Sequence, residues 1–167
     1  VTDDSDTDDT DAASISITEI LAYIPFGREG DANRDGDTNW FDDEFVEIVN
    51  NSGASTDLTG WTLHNSSEER HRFAPGTVLP IDCAMVVFGG GNLSNMGGSA
   101  IFQTASSGSL GLNNWGDTVN LYNANGDLMA SVTYGSEARE DQSIVRDPEI
   151  TGPFSLHGSV ADGRLFS

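Results

Sequence analysis

Glu44-Phe45-Val46-Glu47-Ile48-Val49 decides the class of this chain. Phe45, Glu47 and Val49 fall on one face and Val46 with Ile48 on the other, the period of two expected of an extended strand. Working outward, Ser14-Ile15-Ser16-Ile17-Thr18-Glu19-Ile20 alternates in the same way on the N-terminal side. On the C-terminal side, Leu58 to Leu63 contains Gly60-Trp61-Thr62-Leu63, a strand opening on a turn. Met85-Val86-Val87-Phe88 is apolar on both faces, as a central strand should be. Thr118 to Tyr122 and Leu128 to Tyr134 flank Asn123-Ala124-Asn125-Gly126-Asp127, and Asn-Gly between alternating runs signals a hairpin. Gln142 to Val145 and Phe154 to His157 are weaker runs. The spacing predicts an all-β sandwich of about eight or nine strands. No internal repeat is evident.

The 167 residues suit one domain, and 19 glycines punctuate it into short elements. Val1 to Ala13 carries Asp3, Asp4, Asp6, Asp8, Asp9 and Asp11 among Ser and Thr. Such a self-repelling stretch reads as an acidic, disordered linker over 1–13, with the sandwich occupying 14–167. The linker implies a preceding domain, and the Val start without a charged-then-apolar leader reads as a mature product or an excised piece. No run approaches the roughly 18 apolar residues of a membrane span, so no membrane insertion is expected.

Charge is the strongest compositional signal. Against 27 acidic residues stand seven arginines and no lysine, for a formal charge of −20. A nucleic-acid partner needs a basic face, and this field repels phosphates. Anionic membrane surfaces are disfavoured for the same reason. Two settings suit such a surface: a salt-rich environment, or carboxylates that recruit cations.

The sharpest constellation is Asp31-Ala32-Asn33-Arg34-Asp35-Gly36-Asp37-Thr38-Asn39-Trp40-Phe41-Asp42. Oxygen-bearing side chains stand at loop positions 1, 3, 5, 9 and 12, with glycine at position 6. That spacing winds a short chain around one hard cation, and glycine permits the sharp turn. Asp31, Asn33, Asp35, Asn39 and Asp42 are therefore the expected side-chain ligands of Ca2+, with Asp37 offering its carbonyl. Asp43 or Glu44 can replace Asp42 after a small shift in register. Two carboxylates ~4 Å apart at an effective dielectric near ~20 repel by roughly 4 kcal/mol, so a converged loop calls for a cation. A strand rather than a helix follows, which favours a structural staple over a sensor.

Catalytic patterns are poor. His64, His71 and His157 are scattered without metal spacing, and His64 and His71 bracket a polar turn where exposed histidines are ordinary. No Gly-x-Ser-x-Gly elbow appears. Gly89-Gly90-Gly91 lacks the phosphate-loop spacing and reads as a turn. Cys83, the single cysteine, reads as a core thiol in a buried strand. No catalytic residue is assigned, and the chain is expected not to be an enzyme.

Taken in order, the strand sequences resemble the lamin tail domain family, especially its bacterial members. The resemblance rests on Ile17-Thr18-Glu19-Ile20, Asp43 to Asn50, Asp57-Leu58-Thr59-Gly60-Trp61-Thr62-Leu63, Phe73 to Pro80, Met85 to Phe88, and Trp115 to Tyr122 with its Asn-Gly hairpin. It runs from Ser14 to about Tyr134. It implies an immunoglobulin-like β-sandwich with Phe45 and Trp61 in the core. Bacterial members look like accessory modules of secreted or surface proteins, some attached to nucleases or phosphatases. The nucleic-acid contacts of nuclear members do not carry over without a basic face. Asp82 departs from the family, which usually turns there with glycine. The Asp31–Asp42 insertion resembles the calcium loop of dockerins, and 136–167 lies outside the pattern as a peripheral extension.

These readings converge on a calcium-stabilised, non-catalytic module of a larger secreted or cell-surface protein, with an unidentified protein or cell-surface partner. A passive structural spacer, or an accessory module of a secreted hydrolase whose catalytic domain lies elsewhere, are the alternatives.

Overall fold

The computed structural model describes residues 15–160; the acidic segment 1–13 lies outside them. Twelve short strands are present among the described residues: β1 (Ile15–Leu21), β2 (Phe45–Asn50), β3 (Thr56–Asp57), β4 (Thr62–His64), β5 (Glu69–Arg72), β6 (Val78–Leu79), β7 (Ala84–Phe88), β8 (Ile101–Thr104), β9 (Asp117–Tyr122), β10 (Leu128–Tyr134), β11 (Ile144–Arg146) and β12 (Phe154–Leu156). They form a six-stranded sheet ordered β12-β11-β1-β2-β7-β8, a four-stranded sheet ordered β10-β9-β4-β5, and the small pair β3-β6.

The alternation of β2 places its residues as expected. Val46 and Ile48 point inward, where Ile17 and Ile20 of β1 and Met85 and Val87 of β7 join them in the main core. Leu63, Val119, Leu121 and Val132 face them from the second sheet. Leu58, Trp61 and Phe73 also belong to this core. Each fully buried aliphatic or aromatic side chain here contributes roughly 1.5–3 kcal/mol. Phe45 and Val86 point the other way, into a second apolar cluster with Leu21, Ile24, Ala32 and Phe88. Leu93, Met96, Ala100 and Phe102 pack over that cluster, so the sheet is covered on both faces around β2 and β7.

Several elements differ from expectation. The strand anticipated over Leu58 to Leu63 starts only at Thr62, because Leu58-Thr59-Gly60-Trp61 is a turn closed by the Trp61 amide on the Leu58 carbonyl at 2.9 Å. The polar stretch before His71 is a turn only as far as Glu68; β5 then follows as the edge of its sheet, where a charged strand is tolerated. β8 runs parallel to β7, with Met85 opposite Ile101, and has no hairpin signature to betray it. Cys83 lies just outside β7 and is only partly buried, packing against the main core rather than within a strand.

Asp82 stands at φ 56°, the left-handed conformation that a glycine adopts without strain. Its departure from the family pattern is therefore in side chain and not in backbone shape. Beyond residue 136 the chain adds β11 and β12 outside β1, with Ile20 opposite Ile144.

Candidate metal centre and the neighbouring aromatic cleft

The Asp31–Asp42 loop folds on its own backbone amides. Asp31 accepts the Asp35 amide through Oδ1 at 3.0 Å and the Gly36 amide through Oδ2 at 3.1 Å. Asn33 Oδ1 accepts the same Asp35 amide at 3.0 Å, which brings the oxygens at positions 1 and 3 onto one donor. Asp35 Oδ1 takes the Asp37 amide at 2.9 Å. Gly36 sits at φ 96°, so the sharp turn does require glycine. Asn39 and Asp42 form a separate pair, Nδ2 donating to Oδ2 at 2.9 Å, while Asn39 Oδ1 takes the Phe41 amide. Asp37 is exposed and leaves its side chain out of the cluster. The loop thus brings Asp31, Asn33 and Asp35 together and leaves Asn39 with Asp42 as a second group. Among the described residues, no three His, Cys, Asp or Glu side chains converge at metal-holding distance.

Two features of the site carry no signature in the loop motif. Asp43 is fully buried and clasps the loop from within, accepting the Asn33 amide at 3.0 Å and the Asn39 amide at 2.8 Å. Burial, the largest influence on its carboxyl, pushes its pKa upward. The second feature is Gly89-Gly90-Gly91, which forms the wall of the loop as well as a turn. Gly90 donates to the Asp42 carbonyl at 3.1 Å, and Asn92 donates to Asp35 Oδ2 at 3.1 Å. A β-carbon on Gly91 would sit 2.2 Å from Asn33 Nδ2 and 2.6 Å from Asp35 Oδ2. Close approach accounts for these glycines.

Glu44, next along, turns away from the loop. It is 4 % exposed and accepts the Leu112 amide at 3.2 Å through Oε2. Burial pushes its carboxyl up to about 8. It lines a cavity of about 430 Å³ shared with Tyr23, Ile24, Phe26, Trp40, Phe41 and Leu112. Phe26, Trp40 and Phe41 are 73 %, 61 % and 63 % exposed, a concentration of uncovered aromatic surface on so polar a chain. The Phe26 and Trp40 rings stand perpendicular at 6.1 Å. Beside the cleft, the Arg139 guanidinium lies 3.7 Å over Trp115 and 5.6 Å over Tyr23.

The matching family is now decided by more than strand order. The model of the lamin tail domain matches residues 9–136, most of the chain. This chain belongs to the lamin tail domain family. Its all-β, immunoglobulin-like sandwich is that family's fold, and membership points to a non-catalytic structural module. No curated protein matches the sequence. Phe45 and Trp61 of this lamin tail domain are core residues, 4 % and 9 % exposed.

The histidines occupy separate places. His64 is partly buried against Tyr122, with Nε2 3.0 Å from Thr62 Oγ1. His71 is not an exposed turn residue but 4 % exposed, edge-on to Phe73. Its Nδ1 accepts the Ser106 amide at 3.2 Å, so in the neutral ring Nε2 carries the proton and donates to Gln103 Oε1 at 2.9 Å. Desolvation lowers its pKa. His157 lies beyond the family match, buried with Glu19 and Ser143. His157 Nδ1 is 2.7 Å from Glu19 Oε1 and 3.1 Å from Ser143 Oγ, and Ser143 donates to the same Glu19 oxygen. A nucleophile relay holds acid and hydroxyl on opposite ring nitrogens. Here both meet Nδ1, and all three groups are buried, so the cluster ties the C-terminal extension to β1.

Proposed function

We propose that this lamin tail domain is a calcium-stabilised, non-catalytic module of bacterial type within a larger secreted or surface protein, serving attachment or architecture. The observation that carries the calcium reading is the shared Asp35 amide, which draws Asp31 Oδ1 and Asn33 Oδ1 together at the first two positions of an EF-hand-like spacing. The donor set of Asp31, Asn33, Asp35, Asp37, Asn39 and Asp42 offers oxygen alone, which suits a hard cation, and a flexible oxygen-only loop suits Ca2+, which tolerates roughly six to eight ligands, better than Mg2+. When bound, the ion would supply positive charge that offsets repulsion between Asp31 and Asp35 and would draw in the separate Asn39–Asp42 pair. The protein holds the loop from behind through Asp43 and the glycine wall. The exposed aromatic cleft favours attachment over passive spacing, since large uncovered apolar groups mark binding surfaces.

Thermal unfolding with calcium, magnesium or chelator tests the metal. Calcium at about 100 times its Kd adds roughly 2.7 kcal/mol, a rise of roughly 5–10 °C for a domain of this size. Equal melting temperatures in calcium and chelator would sink the calcium reading.

A further inference from the structure

We propose that the cleft between Phe26, Trp40, Phe41 and Tyr23, floored by Glu44, binds a small free organic cation of the quaternary-ammonium class. The walls have the right shape for one. Phe26 and Trp40 pack edge to face at 90° with centroids 6.1 Å apart, an angled aromatic surface and not the flat platform on which a sugar ring stacks. A methylated ammonium spreads its charge over its methyl groups and loses little hydration when aromatic faces surround it. The cavity of about 430 Å³ holds such a group with room for a short tail.

The polar group in the cavity also has the right sign. Among the described residues, Glu44 is the only acidic one lining it; it is 4 % exposed and is held in place by the Leu112 amide. The whole chain carries a formal charge of −20, which concentrates cations at its surface and repels anions. The neighbouring aromatics already accept a cation within the fold: Tyr23, a wall of the cleft, lies 5.6 Å beneath the Arg139 guanidinium, whose nearer partner is Trp115 at 3.7 Å. That guanidinium is committed outside the cavity, for neither Arg139 nor Trp115 lines it. A phosphocholine headgroup in a bilayer presents the same ammonium, but with a phosphate that this field repels. The free cation is therefore the fitting occupant.

The test is a titration of the intact chain with choline chloride, followed by calorimetry and tryptophan fluorescence. It is run both in calcium and in chelator, because Trp40 and Phe41 belong to the Asp31–Asp42 loop; binding in either condition carries the proposal. Choline is expected to bind at least about ten-fold more tightly than 3,3-dimethylbutan-1-ol, its neutral isostere. Trp40→Ala, at an exposed position, and Glu44→Gln, which keeps an acceptor for Leu112, are each expected to weaken choline binding by about ten-fold while leaving the circular dichroism spectrum unchanged. Equal binding of the neutral isostere would reduce the cleft to an apolar pocket and overturn the proposal. So would absence of choline binding in both conditions, or capture of phosphatidylcholine vesicles without binding of free choline.

Discussion

Asp43 and Asn33 are joined across the base of the loop by an amide-to-carboxylate hydrogen bond of 3.0 Å, and both residues are fully buried. The other Asp43 oxygen takes the Asn39 amide at 2.8 Å, so one side chain fixes the loop at two separate positions. Removing it leaves two amides without their acceptor, each worth about 1–3 kcal/mol when buried. Asp43→Ala is expected to lose about 2–4 kcal/mol in urea unfolding and to admit protease between Gly27 and Asp43. Unchanged stability would show that the clasp contributes nothing.

Gly91 lies at φ 81° with its missing side chain aimed at Asn33 and Asp35. Gly91→Ala combines backbone strain with overpacking, and about 1–3 kcal/mol of destabilisation is expected. Calcium affinity, read by calorimetry, should fall in the same variant because Asn33 and Asp35 are displaced. Gly97→Ala is the control, since a β-carbon there meets nothing within 4 Å.

The buried Glu44 carboxyl predicts a pH dependence. Burial pushes its pKa up to about 8 in the fold from an ordinary value of 4.5, so the folded state binds the extra proton between those limits. Stability from this group is fully present below about 4.5 and is lost as pH rises through about 8. Arg70 lowers the folded pKa and Asp117 raises it, both less than burial does; Tyr134 is a further ionisable neighbour. Glu47, pushed up to about 7 by burial, adds to the same slope. Urea unfolding from pH 5 to 9 should show wild type losing on the order of a few kcal/mol relative to Glu44→Gln, whose profile is flatter. Parallel profiles would refute the assignment.

Ser143, His157 and Glu19 join the C-terminal extension to β1 in the interior. His157→Ala removes one hydrogen-bond partner from the buried Glu19–Ser143 pair and is expected to cost about 1–3 kcal/mol. The loss should be local. Amide exchange in β11 and β12 is expected to accelerate while β7 and β9 stay protected, and uniform acceleration would contradict this.

The parts of the fold legible in sequence are those where side-chain alternation meets a buried sheet. β2 and the β9–β10 hairpin are of this kind, because Val46 with Ile48 and Val119 with Leu121 sort cleanly by face, while β7 was legible as a run apolar on both faces. β5 escaped because Glu69, Arg70, His71 and Arg72 make a polar edge strand whose partner is found only in three dimensions. β8 escaped because a parallel neighbour leaves no turn between the two strands. In the candidate site, spacing alone pointed to Asp31, Asn33, Asp35, Asp37, Asn39 and Asp42, of which Asp31, Asn33 and Asp35 lie together while Asn39 pairs with Asp42 and Asp37 is exposed. It offered Asp43 only as a replacement ligand for Asp42, whereas that side chain accepts two backbone amides, and it read Gly89 to Gly91, whose further role is set by a distant loop resting against them, only as a turn. The cleft was also hidden, since Phe26, Trp40 and Glu44 meet only when β1 and the loop are folded together.

The six-stranded sheet ends in β12 on one side and β8 on the other, strands of three and four residues. Without β11 and β12, the seven-residue β1 would be the margin, with backbone groups left open beside Glu19 and Ile20. Such a margin templates the addition of foreign strands, and stubby borders blunt that hazard. The C-terminal extension therefore covers a border of β1 that would otherwise be open to strand addition.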